Sequence, residues 1–258
     1  MSRDTLLGED DPPVFLIEHP DGASAFLLTC DHAGRAIPRA LANLNLSEHE
    51  LTTHVAWDLG VSALGRLLAA RLDAFLILQS YSRLVIDANR PPDAPDSIPV
   101  LSERTRIAAN EGLSSSDVAQ RREEIFQPYH QRIRDELDAR RACGRPTVLV
   151  ALHSFTPVYM DQARRWHAGV LYGRDARLGL LVRDRLRQDP ALVVGDNEPY
   201  AVSDATDYAV VVHGEQRGIP HVELEIRQDL LASAAGVQSW AERLGHALEE
   251  SLPQLPSI

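Results

Sequence analysis

Lysine is absent from this chain: all 26 basic residues are arginine. Arginine presents a planar fork suited to bidentate carboxylate recognition, although a GC-rich genome would produce the same bias. Cysteine is nearly as scarce. Cys30 and Cys143 are the only two, too few for a disulfide framework, so both are expected to stay reduced, with Cys30 as a small core residue. No apolar run approaches the length of a membrane span. The opening segment MSRDTLLGEDDPPVF lacks the charged-then-apolar order of a signal peptide. A cytoplasmic setting is the expectation. Positive charge is short as well, with 37 acidic residues and a formal net charge of −11. No basic block interrupts that acidity, which argues against nucleic acid as a partner. A small anionic molecule remains open, because local arginines can override the mean field.

What the chain does have is enough apolar content, 44% of 258 residues, for a sizeable core. One catalytic domain over 1–258 is expected, with 1–13, ending in Pro12-Pro13, as a loose arm. Residues 25–35, AFLLTCDHAGR, rise apolar to Thr29-Cys30 as a buried strand does, then turn polar at Asp31-His32. Ligands of open α/β sheets bind beyond the carboxyl ends of strands, so a histidine placed there can hold a metal; a plain loop-capping histidine is the alternative. The same pattern returns at 146–152, PTVLVAL, which ends in His153-Ser154. Residues 220–226 alternate, with His221, Glu223, Glu225 and Arg227 on one face and Val222, Leu224 and Ile226 on the other. Further strands are expected at 14–17, 74–78, 168–171 and 192–194, and helices at 59–72, 176–187 and 237–252. A long helical stretch from 114 to 141 should kink or break at Pro128. Ser47 and Glu50 form a capping box that opens a helix leading toward Asp58, itself a ligand or a plain N-cap of the next helix. Residues 91–99, with four prolines, form a loop, and 203–218 carry no clear signal. The β–α alternation implies an α/β fold, three-layer α/β/α with a mainly parallel central sheet and helices on both faces.

Catalytic zinc takes three His or carboxylate ligands and keeps a fourth position for water. His32, Asp58 and His153 could supply that set from strand ends and a helix start. They are far apart in sequence, so no local spacing fixes them. The water needs a base, and Glu223 and Glu225 share one strand face. Two carboxylates among apolar neighbours must be paired, hydrated or functional; salt bridges to Arg227 or Arg83 are the structural alternative. In YSRLVIDANR, Arg83 and Arg90 flank Asp87 and Asn89. Arg90 beside Asn89 suits gripping a substrate carboxylate, with Asp87 orienting a guanidinium; a surface ion-pair cluster is the alternative. His213 and Arg217 precede the glutamate strand and could form a second polar wall for the substrate. His130, beside Pro128, could reach inward, whereas His54, His167 and His246 suggest no special role. A metal-free hydrolase built on Ser154 or Cys30 lacks a G-x-S-x-G elbow and an evident His partner. A binding protein that kept the pocket is the non-enzyme alternative.

Five pieces, CDHAGRAIP, AWDLGVSAL, SRLVIDANRP, VALHSFTP and HGEQRGIPHVELEIRQDLL, follow one another over about residues 27–231. Together they resemble the N-formylglutamate amidohydrolase family, SRLVIDANR and LEIRQDL being the more specific. The resemblance implies a zinc-carboxypeptidase-like (phosphorylase/hydrolase-like) fold, similar also to zinc-dependent cell-wall amidases. It further implies one zinc ion per chain and hydrolysis of N-formyl-L-glutamate to formate and L-glutamate, in histidine degradation. Under it, His32 and His153 match metal ligands and Asp58 the carboxylate ligand. Glu225, in LEIRQDL, matches the general base, with Glu223 left ambiguous, and Asn89-Arg90 falls where related enzymes bind the substrate's carboxylate. HGEQRG and EIRQDLL match a subgroup best, for which a different N-acyl amino acid or peptide is the alternative substrate.

Overall fold

Residues 5–256 are described by the computed structural model, in which seven strands form one sheet. They are β1 (Phe15–Glu18), β2 (Phe26–Cys30), β3 (Phe75–Gln79), β4 (Val148–Phe155), β5 (Ala168–Leu171), β6 (Val194–Asp196) and β7 (His221–Arg227). Their order across the sheet is β1-β3-β2-β4-β7-β5-β6. The central β3, β2, β4 and β7 run parallel. β1 lies antiparallel to β3, and β5, which carries β6 parallel to itself, lies antiparallel to β7. The sheet is therefore mixed but mostly parallel. Burial on both faces explains why β2, β3 and β4 read as continuous apolar runs.

Helices α1 (Val61–Leu72), α2 (Gln127–Ala142), α3 (Arg177–Leu186) and α4 (Ala234–Ser251) cover the sheet. Val61, Leu64, Leu68 and Leu72 recur at three- and four-residue spacing, giving α1 the apolar stripe that faces inward. Alternation on the strands divides the core. Leu28, Leu76, Val150 and Leu224 pack under α1, α3 and α4, while Leu27, Phe75, Ile77 and Leu149 meet Tyr129, Ile133 and Leu137 of α2 on the opposite face. A third cluster, which includes Leu44, Leu51, Tyr81, Leu84, Ile86 and Phe126, packs the connecting segments together.

Three expectations change. The Ser47–Glu50 capping box forms, but its helix stops at Leu51. The stretch 114–141 divides into Ser115–Arg121, a π-helical turn Arg122–Phe126, and α2. Pro128 has no N–H to offer the preceding turn and its ring crowds that turn's carbonyl; a wider π turn relieves both. The loose arm is corrected from residue 5 onward, its first four residues lying outside the described ones. Leu6 is buried, the Leu6 and Leu7 amides donate to Glu124, and the Pro12 carbonyl accepts from the Tyr81 hydroxyl. Among the described residues, no helix is long and apolar enough to cross a membrane.

Candidate active-site cavity and metal centre

Because β2, β4 and β7 are parallel neighbours, their carboxyl ends open on one edge of the sheet. β2 ends at Cys30 and passes Asp31 and His32 to that edge. On β4 and β7 the register sets Glu225 directly beside His153, and Glu223 beside Ala151. The Asp58 amide donates to the His32 carbonyl at 2.9 Å, tying the approach to α1 to the end of β2. Asp58 is not the N-cap. Gly60 holds that position with φ +82°, where a Cβ would come within 2.5 Å of the Leu231 Cβ. The Asp58 carboxylate is thereby left for the cavity. Gly34 is equally constrained, since a Cβ would lie 2.0 Å from the Ser80 carbonyl oxygen. Only glycine lets the chain beyond His32 lie flat against Ser80, where the Ala36 amide donates to that same oxygen at 3.1 Å.

Three donor atoms converge here. His153 Nδ1 lies 3.2 Å from His32 Nδ1 and 3.1 Å from Asp58 Oδ2, and His32 Nδ1 lies 3.5 Å from the same oxygen. His32, Asp58 and His153 thus form a group that could hold a metal ion, with ligand atoms all within 4.8 Å of one another. Each imidazole is backed by a carboxylate on its far side. His32 Nε2–H donates to Asp87 Oδ1 at 2.6 Å, which leaves the lone pair on Nδ1. His153 Nε2 faces Asp31 Oδ2 at 3.5 Å, and the Tyr129 hydroxyl on α2 donates to the other Asp31 oxygen at 2.6 Å. With both rings unprotonated on Nδ1, these atoms would offer one cation two nitrogens and a carboxylate oxygen at a single spot. The donor set therefore suits a zinc-like ion, with nitrogen and oxygen ligands and outer carboxylates that fix the rings.

Charge follows the same geometry. Burial would raise Asp58, yet His32 and His153 hold it well below the usual carboxylate range. Burial likewise opposes ionisation of Asp87, but the Arg83 guanidinium and His32 keep it low. Asp31 is lowered against burial by His153 and Tyr129. His153 is the reverse case: burial works against its charged form, but Glu223, Asp31 and Asp58 raise it well above the ordinary histidine value. The two glutamates go the other way. Burial, aided by Asp207 and Asp31 against the pull of His153, lifts Glu223 to about 7. Burial, with Asp58 and Glu223 as negative neighbours, pushes Glu225 well above the carboxylate range.

The salt-bridge alternative for these glutamates fails in this arrangement. Arg227 pairs with Asp229, and Arg83 with Asp87 and Asp58. Glu223 has a 3.5 Å contact from Asn89 Nδ2, and Glu225 Oε2 is buried without a hydrogen-bond partner. Both line a cavity of about 490 Å³ together with His32, Asp58, His153 and the Arg83, Asp87, Asn89, Arg90 segment. Asp87 orients the Arg83 guanidinium through Nε and Nη2, as expected. Arg90 pairs with Asp96 at 3.0 Å and donates to the Thr206 and Asn89 carbonyls. Asn89 Oδ1 accepts from the Tyr208 and Ala209 amides, so it also anchors the far wall.

His213 and Arg217 are not among the lining residues. Arg217 reaches out to Asp138 on α2. His213 is buried with His130, whose Nε2–H donates to the Ala88 carbonyl and whose Nδ1 accepts from His213 Nε2 at 3.0 Å. That pair braces the backbone between Asp87 and Asn89 from behind instead of forming a wall. Ser154 donates to the Leu59 carbonyl, and Cys30 is buried with its thiol pushed up chiefly by burial, so neither has the partner a nucleophile needs. Sequence reasoning passed over Tyr129, Tyr200 and Asp207, and read His54 as having no special role, although it lines the cavity and meets Glu103 at 2.8 Å. Of these only Tyr129, next to Pro128 and His130, carried a local signal.

Comparison with known proteins agrees with the fold. No curated protein matches the chain. The crystal structure of gene product Atu2144 from Agrobacterium tumefaciens shares 33% identity over 96% of this chain and 98% of that one, at a TM-score of 0.93. The N-formylglutamate amidohydrolase from Ralstonia eutropha JMP134 shares the fold, at a TM-score of 0.69 and 18% identity over 94% and 98% of the two chains. The N-formylglutamate amidohydrolase family model matches residues 24–232, most of the chain and all of the cavity's ligand and glutamate positions, so this protein belongs to that family.

Proposed function

We propose that the chain hydrolyses the N-acyl amide of an acylated amino acid, with N-formyl-L-glutamate giving formate and L-glutamate, a reaction that would serve histidine degradation in the cytoplasm. The observation that carries this reading is the register of β4 and β7, which seats the unpartnered Glu225 beside one of three converging metal donors. A zinc-like ion held by His32, Asp58 and His153 would supply Lewis acidity to the acyl oxygen and acidity to water. Glu225 takes the proton of the attacking water at its carboxylate and returns it to the leaving amine nitrogen. Asp87 and Asp31 hold the two imidazoles in orientation. Arg90, with Asn89 and Arg83, faces the carboxylate next to the scissile amide, and the Asp96 partner of Arg90 is exposed enough to yield to it. Glu223 lies deeper on the same strand and shapes the field around the base.

A larger N-acyl group is the second reading, favoured by the apolar mouth formed by Leu101, Tyr159 and Tyr200. Metal analysis of the purified protein followed by a formate-release assay tests the proposal. One zinc-like ion per chain and chelator-reversible formate release are expected. Release of the amine from acetyl or longer N-acyl glutamates, without formate release from the formyl compound, would select the second reading. Hydrolysis that persists after complete metal removal would refute both.

A further inference from the structure

Both imidazoles of the candidate metal centre are steadied from one turn of α2. Tyr129 donates to Asp31, which backs His153. The next residue, His130, serves His32 by a longer route. His130 and His213 are fully buried, and the Phe126 and Tyr208 rings pack on His130 at centroid distances of 4.4 and 4.5 Å. A carbonyl can only accept, so the 2.8 Å contact between His130 Nε2 and the Ala88 oxygen places the proton on Nε2 and leaves Nδ1 bare in the neutral ring. His213 Nε2, 3.0 Å from that Nδ1, must then carry the proton of its own ring. His213 Nδ1 is left as a buried lone pair, without a partner among the described residues. Burial favours these neutral forms, lowering His130 to about 4 and His213 well below the ordinary histidine value. The Ala88–Asn89 peptide is trans, so its N–H points away from its carbonyl. With the carbonyl fixed on His130, that N–H meets Asp87 Oδ1 at 2.9 Å, the same oxygen that accepts from His32 Nε2 at 2.6 Å. A continuous chain of hydrogen bonds therefore runs from His213 to a metal donor. Asn89 Oδ1 closes the circuit by accepting the Tyr208 and Ala209 amides at 3.0 Å, where the turn that carries His213 begins.

Resting on the metal-centre reading above, we propose that His130 and His213 are positioning residues for that centre: through the Ala88–Asn89 peptide they hold Asp87 on His32, and so set how tightly His32, Asp58 and His153 take up a zinc-like ion. Asp87 must keep one oxygen in line with His32 Nε2, and the Asn89 amide fixes that oxygen only while Ala88 is held from behind. Each bond of such a chain also polarises the next. A carboxylate that orients an imidazole ligand and raises its basicity is worth about 10- to 100-fold in metal affinity, and a group acting through it contributes a part of that. An apolar pair would fill the same space without the desolvation cost, but it would leave the Ala88 carbonyl without a donor and its peptide without a fixed direction.

Competition titration of the metal-free protein with zinc against a chelator tests this without recourse to turnover. His130→Gln carries an amide N–H as far along the side chain as Nε2 and can still donate to Ala88, whereas His130→Asn stops at the Nδ1 position and cannot. Zinc affinity should fall about 3- to 10-fold in His130→Asn, a part of the scale for a direct outer partner, and stay within about twofold of the parent in His130→Gln. Space filling alone predicts no such split, because both variants remove the ring. His213→Gln and His213→Asn, which keep and lose the donor to His130 Nδ1, should show the same split. They carry the test if a His130 variant does not fold, which melting curves of the metal-free proteins report. Parental affinity in the asparagine variants, or equal losses in asparagine and glutamine variants, overturns the proposal. A parent that binds no zinc removes the metal centre itself, and the proposal falls with it.

Discussion

Replacing Glu225 by Gln separates a base from a buried structural carboxylate. The side chain is 6% exposed, sits in register with His153, and has one oxygen with no partner. A structural carboxylate at such a place would be ion-paired, and removing its charge would strand a buried cation at a cost of several kcal/mol. No cation is stranded here, because the nearby guanidiniums are held by Asp58, Asp87 and Asp229. Gln also escapes the desolvation that pushes the Glu225 carboxyl up. Thermal stability should therefore stay level or rise, and the His32–Asp58–His153 set should keep its metal. Turnover should fall by about 10²–10⁴, the scale of a lost general base, or roughly 3–5 kcal/mol in the barrier. Formate release, metal content by mass spectrometry and a melting curve on the same preparation give all three quantities. If Glu225→Gln keeps a tenth or more of parental turnover, or if Glu223→Gln alone abolishes it with metal and fold intact, the wrong glutamate has been named.

His153→Ala or His32→Ala leaves two of three ligands, so metal should be absent after dialysis; full occupancy in both variants would falsify the centre. Asp87→Asn can still accept from His32 Nε2 but loses the charge that raises the ring's basicity, so metal affinity should drop about 10- to 100-fold in competition titrations; an unchanged affinity removes Asp87 from the centre. In the metal-free protein Glu223 is raised to about 7 from 4.5, so the folded state keeps its proton longer than the unfolded chain does. Stability from this group is present below about 4.5 and is lost as pH rises to 7. Glu223→Gln should thus stabilise the metal-free protein more at pH 8 than at pH 5, by up to about 3 kcal/mol in denaturant titrations, and equal effects at both would contradict the assignment.

The elements of the sheet were legible because parallel strands buried on both faces leave continuous apolar runs that end in abrupt polarity, as at Cys30–Asp31. The same rule located His32, His153 and Glu225, since in a parallel sheet every such end lies on one edge. Illegible from sequence was whatever depended on packing between distant segments. Asp58 reads equally as a ligand or an N-cap until Gly60 is seen to occupy the capping position. His213 and Arg217 look like pocket residues because they sit near Glu223 in sequence, but the π turn Ala209–Gly214 rotates His213 behind the wall toward His130. Asp31 was visible as the neighbour of His32, yet its partner is His153, more than a hundred residues away. Tyr200 and Asp207 gave no signal at all, because only the packing of distant segments brings them to the cavity.

Charge in the cavity ties these observations together. Seven carboxylates and two arginines line it, and both arginines are paired within that set. Burial pushes Glu223 and Glu225 up and so eases part of the surplus, whereas Asp58 and Asp87 are held low by the imidazoles and Arg83. The Asp58 oxygen that both histidines face is where a divalent cation would find its carboxylate donor. Both guanidiniums in the cavity are paired, so a substrate carboxylate reaches Arg90 by displacing the exposed Asp96, whereas Arg83 stays committed to Asp58 and Asp87.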